Sequence, residues 1–567
     1  LFMLLEIGSF VFAMDSERAF RTTRSGVNTV ELYVFPDADI SEPETESDNE
    51  DLLDLFPDES ATSDDSSEDD LPELQWKWIK RDLSVQDISH ERRFKSEERT
   101  VSENGSPLMY FKKYFTDEMF QYIADQSTTY AVQNNNLRVH FSRYRMYWST
   151  DFRVDSIANR LTHNRFMETM RYLHFNDNSQ TILDRDDPNY DRLCKIRPLL
   201  EMFRKCCVET QNEEMQCVDE QIIPYKGKHK LKQYLPCKPH KWGFKIISRA
   251  GKSGLLYDFV FYDMKNPIVD DPLPFQPANY VLKLCETLPK NRNYKLFFDN
   301  YYTFLELQLR LKEMGILSCG TIRANRLRGC PLLSEKDLKS KGRGAYDFRT
   351  DAKKGIIAVA WYDNRRVTAT STYLGIKPKS TVKRWDGRQR KVINVEIPNI
   401  LKNYNMNMGG IDLNNMLAAL YRIEHKSRKW TRRIFFWIIS TAMTNAWQLY
   451  KRDTKEMPGT CTGTLDLLSF TCQVSQSLCL VNKPIATSRS HSRASSPTPA
   501  LTSRRLGRRP SDVSREVAKD QTSHWPEITQ TRRRCRLCSK LATCLCKKCS
   551  VYLCLSSSRN CFTEFHN

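Results

Sequence analysis

This chain has little glycine, no long apolar run and one long segment without a basic residue. Glycine accounts for only 20 of the 567 residues, which excludes a collagen-like repeat. The most apolar stretch, Ile434–Met443, covers ten residues and directly follows Arg432 and Arg433. A membrane-spanning helix needs about 20 apolar residues, so the sequence predicts no membrane span. Because 40% of the residues are hydrophobic, most of the chain can bury a core, and disorder throughout is excluded.

Lysine and arginine are absent between Asp37 and Glu73, a segment that holds 17 acidic residues. The other 530 residues carry 87 basic and 52 acidic side chains, so the net charge of +18 conceals a much more basic body. Such a body indicates a polyanionic partner, and nucleic acid fits best. The acidic segment is predicted to be a solvated, disordered tail. The alternative is that it folds back on the basic body as a mimic of DNA.

The 18 cysteines fall into two groups. Eleven are scattered from Cys194 to Cys479, which is typical of free thiols in a reducing compartment, and seven are clustered from Cys535 to Cys561. Two C-x-x-C pairs in the cluster predict zinc sites rather than disulfides, and eight ligands would hold two structural Zn²⁺ ions. A segment this short would take much of its stability from metal. The candidate ligands are Cys535, Cys538, Cys546, Cys549, Cys554, Cys561 and His566, with Cys544 as a further candidate.

Three aspartates stand out as candidate catalytic residues. Asp219 interrupts the strand-like run MQCVDEQII, Asp299 ends KLFFD, and Asp412 follows Gly409-Gly410 at the start of a predicted helix. Each has a structural explanation when taken alone, as a solvent-facing residue, a turn residue or a helix N-cap. Together, two aspartates on neighbouring strands and one on a later helix could hold two Mg²⁺ ions. Two such ions can clamp the attacking and leaving oxygens of a phosphodiester.

Basic residues interleaved with aromatic residues bracket these aspartates in three stretches: 225–245, 422–433 and the motif GTIRANR. Phosphate contacts require cations, and aromatic rings can stack on unpaired bases. An ordinary solvated face is the alternative for any one charge run. The candidate DNA-binding residues are Lys226, Lys228, Lys238, Lys241, Trp242, Arg323, Arg326, Arg428, Lys429 and Arg432.

A series of motifs in a fixed order makes the chain resemble the piggyBac family of cut-and-paste DNA transposases and the proteins derived from them. The series runs from PLMYFKKYF through NRFMETMRYLHF, VDEQIIPYKGK, FDNYYT and GGIDLNN to KWTRRIFFW, and it ends in the cysteine cluster. Many motifs of medium length in one order make a chance match very improbable. The resemblance covers most of the body and the terminal module.

The resemblance implies an α/β fold: an RNase H-like catalytic domain with an inserted β-rich subdomain, flanking helical DNA-binding segments and a small zinc module. It also implies that Asp219, Asp299 and Asp412 form a metal-binding DDD triad. The family chemistry is hydrolytic nicking at transposon ends, hairpin formation by the freed 3′-OH, and joining at TTAA targets. One departure is Asn415, because active family members often carry a fourth aspartate at that position. An amide there keeps an oxygen ligand but lacks the negative charge.

The expected domain boundaries follow from composition and from the resemblance together. They are an acidic tail (1–75), a helical DNA-binding and dimerisation region (76–212), the first part of the catalytic core (213–317), an insertion subdomain (318–376), a second part with a catalytic helix and a helical DNA-binding segment (377–455), a flexible Ser/Arg-rich linker (456–534) and the zinc module (535–567).

Two functions are therefore expected from the sequence, and a third stays open. The first is a nuclear, homodimeric transposase or transposase-derived protein that cleaves double-stranded DNA at its terminal repeats. The alternative is a domesticated nuclear DNA-binding protein without cleavage activity. The zinc module resembles a cross-brace that recognises transposon-end DNA, although its ligand spacing alone would suit a protein adaptor equally well.

Overall fold

The computed structural model describes residues 20–22, 28–30, 75–83, 93–96, 105–133, 147–149, 153–182, 184, 186–187, 189–236, 238–263, 267–387, 389–422, 427–456, 464–481, 513 and 515–567. The chain divides into a small unit, 12–76, and a large unit that includes 77–567. In the small unit, β1 (Phe20–Thr22) and β2 (Asn28–Val30) form an antiparallel pair. Nearly all of the predicted acidic tail otherwise lies outside the described residues.

The described strands of the large unit are β3 (Trp78–Ile79), β4 (Met215–Pro224), β5 (Lys232–Tyr234), β6 (Trp242–Gly251), β7 (Leu256–Phe261), β8 (Lys295–Phe298), β9 (Leu317–Thr321), β10 (Tyr346–Asp351), β11 (Ile356–Tyr362), β12 (Arg366–Ser371), β13 (Ser380–Asp386), β14 (Lys391–Ile397), β15 (Pro526–Arg534), β16 (Leu541–Cys546) and β17 (Tyr552–Leu553). The described helices are α1 (Pro107–Tyr114), α2 (Asp117–Gln133), α3 (Asp155–Ala158), α4 (His163–Tyr172), α5 (Arg197–Val208), α6 (Gln276–Cys285), α7 (Leu305–Glu313), α8 (Glu335–Lys341), α9 (Asn399–Asn407), α10 (Gly410–Leu420), α11 (Trp430–Glu456), α12 (Leu467–Leu480), α13 (Arg515–Ala518) and α14 (Cys561–His566). None of these helices combines the length and apolarity needed to cross a membrane.

One large mixed sheet organises the body. Its strand order is β3-β10-β11-β12-β9-β8-β4-β6-β5, and β7 pairs with the same edge of β6 as β5 does. The order β7-β6-β4-β8-β9 forms its centre, in which β6 runs antiparallel to its neighbours β4 and β7, and β8 and β9 run parallel to β4. The central strands are largely buried, as expected for apolar runs with both faces covered.

The predicted insertion, 318–376, is continuous with this sheet. Strand β9 begins just before it, and β12 pairs antiparallel with β9, so that β10, β11 and β12 extend the sheet on that side. Pairing with β12 satisfies the backbone groups that β9 would otherwise expose at a sheet edge. The hairpin of β13 and β14 forms a separate two-stranded sheet.

Helices from both ends of the body pack together. The aromatic face of α1 is buried against α11 and α12, and the Tyr110 hydroxyl donates to Asp453 Oδ2 at 3.0 Å. Residues 456–534 were expected to form a flexible linker, but α12 lies within this range. Its Phe470, Val474 and Leu478 recur every four residues and are buried in the main core. The Ser, Thr and Gln residues on its other positions conceal this apolar face in the sequence. Residues 482–512 of the predicted linker lie outside the described residues.

Helix α10 approaches β4 and β6 unusually closely, because its first residue is Gly410. A Cβ atom added there would lie 2.3 Å from the carbonyl oxygen of Gly251 and 2.9 Å from Cys217 Sγ. Both distances are well inside van der Waals contact. Glycine therefore permits the start of α10, with Asp412 in its first turn, to sit directly on the sheet.

Candidate functional site

Asp219 and Asp299 lie side by side on neighbouring parallel strands. The register of β4 and β8 pairs Val218 with Phe298, so the next residue on each strand is one of these aspartates. Asp219 Oδ1 accepts the backbone N–H of Glu220 at 2.8 Å, and Asp299 Oδ1 accepts that of Tyr301 at 2.9 Å. The two carboxyl groups are thus held at the same level of the sheet.

Asp412 approaches the same place from α10. Cys217 and Asp219 point to one face of β4 because alternate residues of a strand share a face, and α10 packs on β4 and β6. The Cys217 thiol lies beneath this helix start. Burial, together with the negative charges of Asp219 and Asp412, raises the pKa of Cys217 to about 12. The three aspartates are therefore brought together beside the middle of β4 and the carboxyl end of β8.

The electrostatics of the site disfavour full ionisation of its carboxyl groups. Burial, followed by the charges of Glu220 and Asp299, raises the pKa of Asp219 to about 8. Burial and the charge of Glu220 likewise raise the pKa of Asp299. At neutral pH, Asp219 therefore retains a proton in the metal-free protein. Like charges held close in a shielded site have this effect, which is typical of carboxylates arranged to bind a cation.

Glu220 is a fourth carboxylate of the site, and sequence reasoning missed it. Its Oε1 atom is 2.8 Å from Lys238 Nζ, and the Tyr302 hydroxyl donates to its Oε2 at 3.3 Å. Burial would lower the pKa of Lys238, but the hydrogen bond to Glu220 and the charges of Glu220, Asp219 and Asp412 raise it. Lys238, predicted as a DNA contact, therefore faces the carboxylates instead.

Asn415 is occupied by a hydrogen-bond network beneath the site. Gln221 Nε2 donates to Asn415 Oδ1 at 2.8 Å and to Asn414 Oδ1 at 3.1 Å, and Gln221 Oε1 accepts the Ser248 hydroxyl at 2.9 Å. Asn414 in turn donates to the carbonyl of Gly254 at 2.8 Å. The amide at 415 thus joins α10 to β4.

The donor set at the three aspartates suits a hard divalent cation. Asp219, Asp299 and Asp412 supply carboxylate oxygens, which are the ligands that Mg²⁺ prefers. The oxygens are more widely spaced than the ligands of a closed metal site. In the described part of the chain, only two Cys/His groups bring their ligand atoms within 4.8 Å of one another. Mg²⁺ usually keeps several waters and needs only one or two carboxylates, so an open arrangement fits this ion.

Those two Cys/His groups could each hold a metal ion, and they lie within residues 515–567, which extend beyond the predicted zinc module (535–567) and are called the terminal module from here on. The first consists of Cys535, Cys538, Cys554 and Cys561, and the second of His524, Cys546, Cys549 and His566. Cys538 Sγ and Cys554 Sγ are 3.5 Å apart, and Cys549 Sγ lies 3.4 Å from His524 Nδ1. Such separations fit tetrahedral zinc, whose bonds to sulfur and nitrogen are about 2.0–2.3 Å long. The two groups interleave along the chain, which is a cross-brace arrangement.

The fourth candidate ligand of the second group is His524 rather than Cys544. Cys544 lies in neither group, because it sits in the middle of β16 and is paired with strands on both sides. Cys546, in contrast, ends that strand at the turn that leads to Cys549. His524 escaped prediction because it precedes the cysteine cluster. The available signal was that His524 and His566 are the only histidines after residue 513.

A carboxylate orients His524. Its Nε2 lies 3.0 Å from Asp520 Oδ1, which leaves Nδ1 to face Cys546 and Cys549. The fully buried ammonium group of Lys548 pairs with the other Asp520 oxygen and donates to the Thr522 carbonyl at 2.8 Å. A second hydrogen bond of this kind fixes the ring and raises the basicity of a metal-binding histidine.

We predict that Asp520→Ala lowers zinc affinity at the second group about 10- to 100-fold, because His524 loses its orienting partner. The measurement is competition with a chromophoric zinc chelator on the full chain. Glu527→Ala is the matched control, since Glu527 forms an exposed ion pair with Lys547 in the same module. Equal zinc affinity in both variants would contradict the role given to Asp520.

Comparison with known proteins is consistent with this architecture. Residues 106–447 match the family model described as transposase IS4. The human PiggyBac transposable element-derived protein 3 is 28% identical over 520 residues, which cover 88% of this chain and 82% of that protein. The human PiggyBac transposable element-derived protein 2 is 27% identical over 487 residues, which cover 81% and 77%. The chain belongs to the piggyBac transposase family.

The fold of this family member also resembles a solved structure. A chain of the cryo-EM structure of a piggyBac transposase synaptic complex with hairpin DNA superposes with a TM-score of 0.55 at 17% identity. The match covers 82% of the present chain and all of that chain. At this identity the comparison shows a shared fold, with mixed α/β architecture around one large sheet.

The basic residues predicted to contact DNA divide into exposed and buried sets in this piggyBac-family chain. Arg326 is only 8% exposed, stacks over the Phe275 ring and donates to the Asn300 carbonyl at 2.8 Å, so it supports the turn that follows Asp299. Arg432 is 7% exposed and donates to the Met170 carbonyl. Burial removes both from a DNA-facing surface. The exposed members are Lys226, Lys228, Lys241, Trp242, Arg323, Arg428 and Lys429.

Proposed function

We propose that this protein is a piggyBac-type DNA transposase or transposase-derived nuclease that cleaves and joins DNA strands at TTAA targets with divalent metal. The observation that carries the proposal is the convergence of Asp219, Asp299 and Asp412 from β4, β8 and α10. The central strand order β7-β6-β4-β8-β9, with three antiparallel strands followed by two parallel ones, supports an RNase H-like catalytic domain.

The chain's own residues would prepare the reaction by holding the three aspartate carboxylates in a fixed arrangement. Asp219 and Asp299 are positioned by the parallel register of their strands, and Asp412 by the close approach of α10. Two Mg²⁺ ions bound at these carboxylates would supply Lewis-acid stabilisation of the phosphodiester and an activated water. The Tyr301 amide holds Asp299 in place, and Arg326 supports the turn behind it.

Exposed cations and rings beside the site would hold the DNA. The rings of Trp242 and Tyr234 are in contact, with centroids 4.8 Å apart and planes tilted by 47°, and Lys232 Nζ lies 4.8 Å above the Trp242 ring. Both rings are about half exposed, so a base could stack on them while neighbouring lysines contact phosphates. The structural neighbour is a transposase in a synaptic complex with hairpin DNA, which supports DNA as the partner.

The terminal module would bind two structural zinc ions and contribute to DNA recognition. A homodimer would present two catalytic sites to the two ends of one DNA segment, and the substrate would require a nuclear location. Light scattering of the purified chain and imaging of a tagged chain in cells test these two proposals.

The alternative is a domesticated DNA-binding protein that no longer cleaves. One observation favours it: Asn415 stands where active relatives often carry a fourth aspartate, and its oxygen accepts a hydrogen bond from Gln221. The deciding experiment is incubation of the full chain with supercoiled plasmid carrying TTAA sites, with and without Mg²⁺. Metal-dependent nicks support the nuclease. Salt-sensitive binding with no nick on any TTAA-flanked end supports the alternative.

We predict that Mg²⁺ binds more tightly as the pH rises. The pKa of Asp219 is raised from its ordinary value to about 8, so below that pH the ion must displace a proton. Affinity should increase on the order of tenfold between pH 6.5 and 8.5 and then level off. For the same reason, the metal-free protein should lose stability as the pH rises from 4 to 8, because the folded state binds the Asp219 proton more tightly than the unfolded state. Calorimetric titration with Mg²⁺ at several pH values measures the affinity, and an affinity that does not change with pH would contradict the prediction.

A further inference from the structure

Lys238 and Glu220 form an ion pair inside the carboxylate site, where a divalent cation would bind if the proposed function is correct. The Lys238 side chain is 32% exposed and the Glu220 side chain 16%, so the pair sits at the mouth of the site rather than on the open surface. The Lys238 ammonium group also lies near enough to Asp219 and Asp412 for their charges to act on it. A simple phosphate contact would instead point away from the carboxylates.

A second lysine near the site behaves differently. Lys245 lies on β6, is 7% exposed, and places its Nζ between the Tyr262 and Tyr301 rings at 5.0 and 4.3 Å. This ammonium group is fixed by the sheet and the two rings. Burial lowers the pKa of Lys245, while the negative charges of Glu220 and Asp299 act in the opposite direction, so this ammonium group lies near both carboxyl groups.

Lys238, in contrast, extends from the loop that joins β5 to β6. That loop is closed by its own backbone, with the Leu235 amide donating to the Lys241 carbonyl at 2.7 Å and the Lys238 amide to the Leu235 carbonyl at 3.2 Å. The side chain can therefore leave the site by rotating about its own bonds, while the loop and the sheet stay in place.

We propose that Lys238 is the built-in counterion of the catalytic carboxylates: its ammonium group neutralises them in the metal-free protein and is displaced when a divalent cation binds. Displacement frees Glu220, which then supplies from β4 the fourth negative charge that Asn415 does not supply from α10. Lys238 is a positioning residue here, because it acts through the carboxylates and not on the substrate. This inference rests on the proposed metal-dependent function.

The first test measures Mg²⁺ affinity by calorimetry on the zinc-loaded, full-length chain without DNA. Lys238→Met keeps most of the side-chain volume but removes the competing charge, so Mg²⁺ should bind about 5- to 10-fold more tightly. Without Mg²⁺ the same variant should melt several degrees lower, because the carboxylates lose their counterion, and Mg²⁺ should restore the melting temperature. Lys252→Met is the matched control, since Lys252 is exposed at the turn between β6 and β7. It should change neither quantity.

A double-mutant cycle tests whether Glu220 is the group that Lys238 neutralises. Glu220→Gln alone should weaken Mg²⁺ binding several-fold, and Lys238→Met added to it should bring the affinity back close to that of the wild type. Unchanged or weaker Mg²⁺ binding by Lys238→Met would overturn the inference. The inference would also be overturned if the only effect of Lys238→Met were to lower the salt dependence of DNA affinity by about one charge. That is the effect expected from the loss of a phosphate contact.

Mg²⁺ binding by the wild type, compared with that of a variant lacking two proposed metal ligands, distinguishes failure of this inference from failure of the proposed function. If Mg²⁺ binds the wild type and the double variant Asp219→Asn/Asp299→Asn equally, no metal site exists at these residues and both proposals fail. If the wild type binds more tightly than that double variant but Lys238→Met gains no affinity, only the role of Lys238 fails.

Discussion

Asp219→Asn and Asp299→Asn are each expected to reduce metal-dependent DNA cleavage by at least about a thousandfold. Metal assistance supplies several kcal/mol of transition-state stabilisation, and about 1.4 kcal/mol corresponds to each factor of ten in rate. Both substitutions keep the size of the side chain, so the fold should persist. DNA binding should change little, because neither aspartate belongs to the exposed basic set.

The assay for these variants is nicking of plasmid DNA in Mg²⁺, with affinity measured in parallel by fluorescence anisotropy. Asp270→Asn is the matched control, because Asp270 is an exposed aspartate in the connection between β7 and α6. A variant that retains more than about a tenth of wild-type cleavage would exclude its aspartate from the metal site. Equal loss of DNA binding and cleavage would indicate a structural role instead.

Loss of zinc is expected to unfold the terminal module. Structural zinc contributes roughly 10–16 kcal/mol of binding free energy in small domains at neutral pH, more than a core of this size can supply. The core of this module consists largely of the ligand cysteines themselves, packed with Ala542, Val551 and Leu553. Cys549→Ser should therefore leave at most about one zinc ion per chain and make the module sensitive to proteases.

Cys544→Ser is the control that decides the ligand set. Cys544 is as buried as the ligand cysteines but lies in neither group, so this variant should retain about two zinc ions. His524→Ala should behave like Cys549→Ser. The opposite result, with zinc lost from Cys544→Ser and kept by His524→Ala, would restore the ligand set that cysteine spacing suggests. Zinc content by mass spectrometry and limited proteolysis measure both effects.

The carboxylate site shows a stability cost that is typical of functional sites. Asp219, Glu220, Asp299 and Asp412 lie near one another, and the pKa values of Asp219 and Asp299 are raised, first by burial and then by the charges of neighbouring carboxylates. A purely structural cluster would be expected to pair each acid with its own base. Here Lys238 and Lys245 serve four carboxylates, which leaves a net negative charge for a cation to balance.

The candidate site residues could be selected from the sequence because they lie in short local motifs. The acids of VDEQ, FDNYY and GGID, and the paired cysteines of CRLC and CKKC, are recognisable without knowledge of what packs around them. The family could be predicted for the same reason, since motif order survives even where overall identity is low. The helical regions on both sides of the β-rich core follow from their apolar periodicity.

The environment of each side chain could be decided only by the tertiary structure. Arg326 and Arg432 have the same sequence signature as the exposed Arg323, yet their guanidinium groups are buried against carbonyl oxygens. Lys238 faces acids rather than solvent, and His524 reaches the second Cys/His group from outside the cysteine cluster. The physical reason is common to these cases. Burial and charge pairing are set by residues distant in the chain, and local sequence carries no record of which segments will pack over a given side chain.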